Sequence, residues 1–338
     1  MRRVLTACCL VVVWLSSAAV TRAAEPRPDW VRVAETTAWQ PRDSCGEAAF
    51  GGKLWLLGGW FNSFQDTPRD SWSSADGKDW TRVAAVAPWK HGDLPMTEVF
   101  QGKMWFLGGW HGGRLPGASS SAEVWSTADG EKWEQVTANA GWSSRISAGC
   151  AVFKDKLWIT GGLERYYDGN EKSLKNDVWC TSDGKTWERM VENAPWKARA
   201  YHATLSHAGK LWVFGGGNYV PGYFALNDVW CSEDGKHWEQ VVEHAPWPGR
   251  IWFSPLVYRD RMWLLGGWSN NPASNWNDVW HSADGKTWTE LKTETVWAKR
   301  HEHSAYVFQD KMWVVAGHAQ PLRNDVWSLE LPKGWKGE

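Results

Sequence analysis

Three pieces of one stretch decide the fold: Gly209-Lys210-Leu211-Trp212-Val213-Phe214-Gly215-Gly216, then Asn227-Asp228-Val229-Trp230, then Asp234-Gly235-Lys236-His237-Trp238. The exit Ala245-Pro246-Trp247 completes the unit. The same pieces recur along almost the whole chain. Their first Trp falls at Trp55, Trp105, Trp158, Trp212, Trp263 and Trp313, at intervals of 50, 53, 54, 51 and 50 residues. A sustained period of this size marks a repeat architecture.

Each unit reads as four short strands, a to d. In the third unit they span 148–153, 156–160, 177–181 and 186–191. Strand b ends at the double glycine Gly161-Gly162. Strands c and d are joined by a tight hairpin around Asp183-Gly184, because Asp-Gly supplies the positive φ such turns need. Short strands with turn signals at regular spacing predict an all-β fold.

Six units can be counted, but the sixth stops after Asn324-Asp325-Val326-Trp327 without a strand d. The missing strand lies at the other end. Asp29-Trp30-Val31-Arg32-Val33-Ala34 matches Asp79-Trp80-Thr81-Arg82-Val83-Ala84 at a constant offset of 50. An open stack would leave two unpaired edges. A toroid closed by the N-terminal strand on the last sheet removes both, which predicts a six-bladed β-propeller. The blades are expected near 41–89, 90–142, 143–196, 197–247, 248–297 and 298–331, with the closing strand at 29–39. The chain carries 31 Trp, and four columns of six account for 24 of them as architecture.

The run Arg199-x-x-His202, then Gly209 to Gly216, Asn227-Asp228-Val229-Trp230 and Trp238, resembles a kelch repeat. The resemblance covers residues 28–335 and implies a propeller similar to the central domain of galactose oxidase; the family is diverse in function. The hairpin Ser74-Ala75-Asp76-Gly77-Lys78-Asp79-Trp80 also resembles the sialidase Asp-box, one residue shorter between Asp and Trp. No sialidase active-site motif accompanies it.

Residues 1–23 read as a secretory signal: Arg2 and Arg3, a mostly apolar run from Val4 to Val20, and Thr21-Arg22-Ala23 before a cut. The expectation is an exported, periplasmic or extracellular domain over 24–338, a monomer with no membrane span. Removing the signal leaves 34 basic residues (37 less Arg2, Arg3 and Arg22) against 38 acidic. That balance gives no support to nucleic-acid binding. Cys45, Cys150, Cys180 and Cys231 remain, and are expected as free or buried thiols. Equivalent positions on neighbouring blades stand too far apart for a disulfide.

Up-and-down strands put the bc loops and da connections on one face. The bc loops differ in every unit, and variable loops on a rigid scaffold are where function concentrates. Trp60, Trp110, Trp252, Trp268 and Trp276 lie outside the structural columns and belong to this face. They suit sugar rings, which offer an apolar side and a hydroxyl edge. A second column, Arg42, Arg145, Arg199, Arg250 and Arg300, suits a carboxylate or phosphate. A matching column of acids at strand c, Asp70, Glu123, Asp177, Asp228, Asp278 and Asp325, favours Arg–Asp clips instead. His202 and His303 share a further column, and His301, His111 and His318 lie near. No third ligand is fixed by spacing, so no metal or other cofactor is expected. Tyr201-His202 resembles a copper-ligand segment of galactose oxidase, but nothing in the sequence places the partners that chemistry needs. Glu47, Glu98 and Glu302 are candidate acid-base carboxylates. No P-loop, nucleophile elbow or dinucleotide fingerprint appears.

The leading expectation is a module that binds glycan or protein on the bc/da face without catalysis. The alternative is a sugar mutarotase or epimerase similar to the kelch proteins that act on N-acetylneuraminate. A copper oxidase or a glycosidase ranks below both.

Overall fold

The computed structural model describes residues 27–167, 170–270 and 272–337. The expected signal segment lies outside them. Among the described residues, six four-stranded antiparallel sheets appear in the order a-b-c-d. Strand a runs Gly46–Phe50, Met96–Phe100, Gly149–Phe153, Ala203–His207, Ser254–Tyr258 and Ser304–Phe308 in blades one to six. The sixth sheet pairs strand c, Val326–Leu329, with Val31–Ala34, in the register Val31↔Ser328 and Arg32↔Trp327. The N-terminal strand therefore closes the ring.

The reason lies in side-chain packing. Each exit Trp stands edge-on to a strand-d Trp in the following blade: Trp39–Trp80, Trp89–Trp133, Trp142–Trp187, Trp196–Trp238 and Trp247–Trp288, with centroids 5.8–6.2 Å apart. The sixth pair is Trp297–Trp30 at 6.1 Å, so the N-terminal strand supplies the partner that blade five requires. Such T-shaped pairs add to the area each indole buries. Asn324 Nδ2 also donates to the carbonyls of Thr37 and Trp39, tying the strand's exit to blade six.

The Asp-Gly hairpins are locked by local hydrogen bonds. The Gly77 N–H donates to Ser74 Oγ at 2.8 Å, and those of Lys78 and Asp79 to Asp76 Oδ1 at 2.9 Å. These backbone donors hold the Asp76 carboxyl below the usual range. The glycine is required twice. Gly130 has φ of +80°, and a Cβ there would lie 2.1 Å from the Trp55 ring of the preceding blade. The resemblance to the Asp-box thus serves folding: it seats each hairpin on the strand-b indole of its neighbour.

The bc segments differ from the loops expected. In blade five the ladder continues through Gly267↔Trp276, Trp268↔Asn275 and Asn270↔Ala273, so this loop is a β-hairpin. In blade three, Gly162↔Lys175 and Leu163↔Leu174 pair in the same way. The four cysteines are free, and Cys45, Cys180 and Cys231 are buried. Among the described residues, no helix is long and apolar enough to cross a membrane.

Candidate functional site

The arginine column is consumed by the scaffold. Arg42, Arg145, Arg199, Arg250 and Arg300 are at most 3% exposed. Each makes a bidentate pair within its own blade, with Asp70, Asp177, Asp228, Asp278 and Asp325 respectively. Each also donates to the carbonyl that follows strand b, as Arg199 does to Gly215 at 3.0 Å. These are the Arg–Asp clips the sequence favoured, and each guanidinium is held by its own blade's carboxylate and by the carbonyl that follows strand b. Blade two has Gly92 in this column, and its Glu123 meets His91 instead at 3.8 Å.

Two residues beyond each arginine position, the chain turns into strand a through Ser44, Leu94, Ser147, Tyr201, Trp252 and Glu302. All six have positive φ, between 48° and 60°. That conformation strains residues with a Cβ and clusters at sites the surroundings over-determine. Here the over-determination is visible. The Ser44 N–H donates to Glu302 O, Leu94 to Ser44, Ser147 to Leu94, Tyr201 to Ser147 and Glu302 to Trp252, at 2.9–3.2 Å. These five bonds link the blades around the axis, and between blades four and five the Tyr201 and Trp252 rings meet at 5.2 Å.

On the bc/da side of this ring sit the residues one position earlier. Asp43 and Asp93 are 1% exposed, and His301 is 9% exposed. Ser44 Oγ donates to Asp43 Oδ1 at 3.1 Å, and Asp43 Oδ2 accepts from His318 Nδ1 at 3.2 Å. Both carboxylate oxygens of Asp93, Glu302 Oε1 and the Tyr201 hydroxyl are buried without a partner. Burial, then the neighbouring Asp43, pushes the Asp93 carboxyl well up; burial, then Asp43 and Asp93, does the same to Glu302. Burial lowers His301 to about 3, with His318 adding to the effect, so its imidazole is neutral. Its Nε2 stands 3.6 Å from Glu302 Oε2.

Above these groups the aromatic side chains form one connected surface. Trp60 stacks on His318, His318 on His301 and His301 on Trp252, with centroids 6.1, 4.9 and 5.0 Å apart and planes within 21° of parallel. Trp268 then packs on Trp252 at 5.6 Å, and Tyr223 and Tyr219 pack edge-on to Trp268. On the other side Tyr201 leads to Tyr166 and Tyr167, with Trp110 against both. Bonds between loops fix this surface. Arg114 lies 4.1 Å over Tyr167, Ser120 Oγ donates to Glu164 O, and the Asn270 N–H donates to the Tyr223 hydroxyl.

The five tryptophans singled out in the sequence divide. Trp60, Trp268 and Trp276 are half-buried. Trp110 is 4% exposed and spends its N–H on Gly113 O; Trp252 is 8% exposed and lies beneath the others. Trp276 donates to Ser269 Oγ and is covered by Arg250 at 5.0 Å. His202 and His303 lie on the far side of the ring. His202 Nε2 bonds Thr160 Oγ1 at 2.9 Å, whereas neither nitrogen of His303 has a partner. Asp43 and Asp93 were missed. Their column holds Asp43, Asp93, Ile146, Ala200, Ile251 and His301, and two acids among buried apolar residues was the available signal.

Asp43, His301 and His318 bring ligand atoms within 4.8 Å of one another. The imidazoles are stacked, however, so their in-plane lone pairs run nearly parallel and do not converge on one ion. His301 Nδ1 is further occupied by Asn275 Oδ1 at 2.6 Å. Asp43 bonds His318, Asn275 bonds His301, and the two imidazoles meet by stacking.

Residues 150–335, more than half of the chain, match the family model described as the KLHDC2/KLHL20/DRC7 Kelch-repeats domain. The comparison with curated proteins found no match. With six four-stranded blades, the paired glycines and the Arg–Asp clips in place, the chain belongs to the kelch-repeat family of β-propellers.

Proposed function

We propose that this propeller is an exported, monomeric binding module that takes a carbohydrate on its bc/da face. The observation that carries the reading is the connected aromatic surface from Trp60 through His318, His301 and Trp252 to Trp268 and Tyr223. His318 and His301 are sandwiched face to face between their neighbours, so the rings that offer an apolar side to a sugar are the half-buried Trp60 and Trp268 at the ends of the run. Phe64, 73% exposed on the bc loop of blade one, extends the surface outward. Beneath it, both carboxylate oxygens of Asp93 are acceptors without partners, which suits the hydroxyls of a polyol. A stack on one indole gains area at roughly 25 cal/mol per Å², so a single contact is weak and several along an extended glycan act together. The leader-like residues 1–23 support export.

The test is a glycan array probed with residues 24–338, then with the Trp60→Ala/Trp268→Ala variant. Retention by wild type and loss by the variant supports the reading. Equal retention, or none by either, overturns it.

A second reading rests on one contact, that of His301 Nε2 with Glu302 Oε2 at 3.6 Å. A neutral base beside a protonated acid suits movement of a proton on a sugar, as in a mutarotase. Proton NMR of anomer exchange tests it: a rate equal to that of buffer alone removes it.

A further inference from the structure

The axial cavity on the opposite side of the six-residue ring has a chemistry of its own. Its volume is about 530 Å³, and its lining runs from Ser44, Tyr201 and Glu302 at the ring to Val99 and Val257 near the ab turns. Those two valines are 37% and 36% exposed and mark the mouth. The wall between is built from the six strands a and alternates apolar groups such as Ala48, Ala151 and Leu256 with the hydroxyl residues Thr97, Thr204 and Ser254. The floor is polar and unsatisfied. The Tyr201 hydroxyl, Glu302 Oε1 and both ring nitrogens of His303 are buried without partners. Tyr201 is 6% exposed, His303 3%, and the Glu302 side chain 8%. Nearer the mouth the lining includes two more carboxyls, Glu47 and Glu98, and no lysine or arginine is among the described lining residues.

We propose that this cavity binds a linear aliphatic diamine or polyamine that enters from the ab/cd face, with Glu302 at the floor and Glu47 and Glu98 nearer the mouth as its counter-charges. The apolar groups of the wall suit methylenes, and the acids occur at separate levels along it. The ring and the level of Glu47 are three residues apart along strand a, roughly 10 Å at strand rise. A four- or five-carbon diamine spans that gap with one hydrogen bond at each end. An ammonium has three donors and no acceptor, which matches a floor rich in acceptors. A neutral diol would leave the carboxyls as buried acids, whereas an ammonium converts each into a charge-assisted pair.

The basic residues that open strand b near the mouth do not oppose entry strongly. Four of the six, Lys103, Lys156, Lys210 and Lys311, pair with Glu134, Glu188, Glu233 and Glu330 at 3.4–3.8 Å, and Arg261 in blade five donates to the Lys336 carbonyl. The cavity opens on the face opposite the glycan surface and meets it only at the ring, where Tyr201, Trp252 and Glu302 line the cavity; Trp60 and Trp268 do not line it.

Calorimetric titration of residues 24–338 with putrescine, cadaverine and spermidine tests the proposal, with butylamine and butanediol as controls. Saturable one-to-one binding of a diamine is expected, at least tenfold tighter than butylamine and absent for butanediol. Glu47→Gln/Glu98→Gln should weaken it at least tenfold, and Val257→Trp, at the exposed mouth, should block it without altering the melting temperature. Trp60→Ala/Trp268→Ala should bind amine as wild type does. No diamine binding by wild type, binding of butanediol equal to putrescine, or full binding by Val257→Trp overturns the proposal.

Discussion

Replacing Arg199 with Ala tests how much of this scaffold depends on one clip. Arg199 donates to Asp228 Oδ1 at 2.6 Å and Oδ2 at 2.7 Å, and to the carbonyls of Gly215 and Lys197 at 3.0 Å. The truncation removes all four bonds. It leaves the Asp228 side chain, 13% exposed, with the Trp230 N–H at 2.8 Å as its remaining side-chain donor. Breaking a buried pair on one side costs about 3–5 kcal/mol, because the other charge stays desolvated. At about 2.1 cal/mol/K per residue, 338 residues give an unfolding entropy of roughly 0.7 kcal/mol/K. The melting temperature should therefore fall by roughly 4–7 °C. Arg199→Lys should recover less than half of this, since an ammonium cannot hold both oxygens and the carbonyl at once. In a double-mutant cycle, Asp228→Asn should reduce the cost of Arg199→Ala by about 2 kcal/mol, because the uncompensated charge is gone. Differential scanning calorimetry of the wild type and the four variants measures each term. A melting point within a degree of wild type, or strict additivity of the two substitutions, would refute the clip as a stabilising unit.

Three further outcomes follow from the geometry. Removing residues 27–40 takes away Trp30 and Trp39, 2% and 1% exposed, together with the last edge strand; at about 3–5 kcal/mol per lost indole, the melting point should fall by roughly 10 °C, and a shift under two degrees would contradict closure. Gly130→Ala meets both a φ of +80° and the Trp55 ring at 2.1 Å, so urea unfolding should show a loss of at least about 2 kcal/mol. Burial holds Glu98 up to about 7 and Glu47 up to about 8, against 4.5 unfolded. The folded chain thus binds more protons across that window, and stability falls as pH rises through it. His202 and His301, lowered to about 3, act in the opposite sense, but only below their unfolded value of 6.5. Between pH 6.5 and 8 the acids act without them, and Glu47→Gln should lessen the loss by about 1.5 kcal/mol in urea titrations at each pH.

The scaffold was legible because its devices repeat. The offset between Asp29-Trp30 and Asp79-Trp80 announced closure, and the parallel Arg and Asp columns announced the clips. The site was less legible for physical reasons. Leu94, Tyr201 and Trp252 take positive φ because neighbouring blades bond their backbones, and residue type gives no warning of that. Trp60, Trp110 and Trp268 share one column, yet Gly113 O and the two tyrosines bury Trp110 while Trp60 and Trp268 stay half-open. The blade-five loop pairs as a hairpin because Trp268 and Trp276 extend strands b and c rather than leave them. Asp43, His318 and His301 meet only through the closed ring, since more than 250 residues separate Asp43 from the two histidines in the chain.

The binding claim is tested most directly by the indole N–H resonances of the isotope-labelled chain, titrated with whichever glycan the array retains. Trp60, Trp252 and Trp268 should shift progressively and saturate. Trp55 and Trp158, whose N–H groups are held by Phe50 O and Phe153 O beside the ab turns, should stay in place. Shifts confined to those strand-b indoles, or no shift at saturating glycan, would contradict a carbohydrate site on the bc/da face.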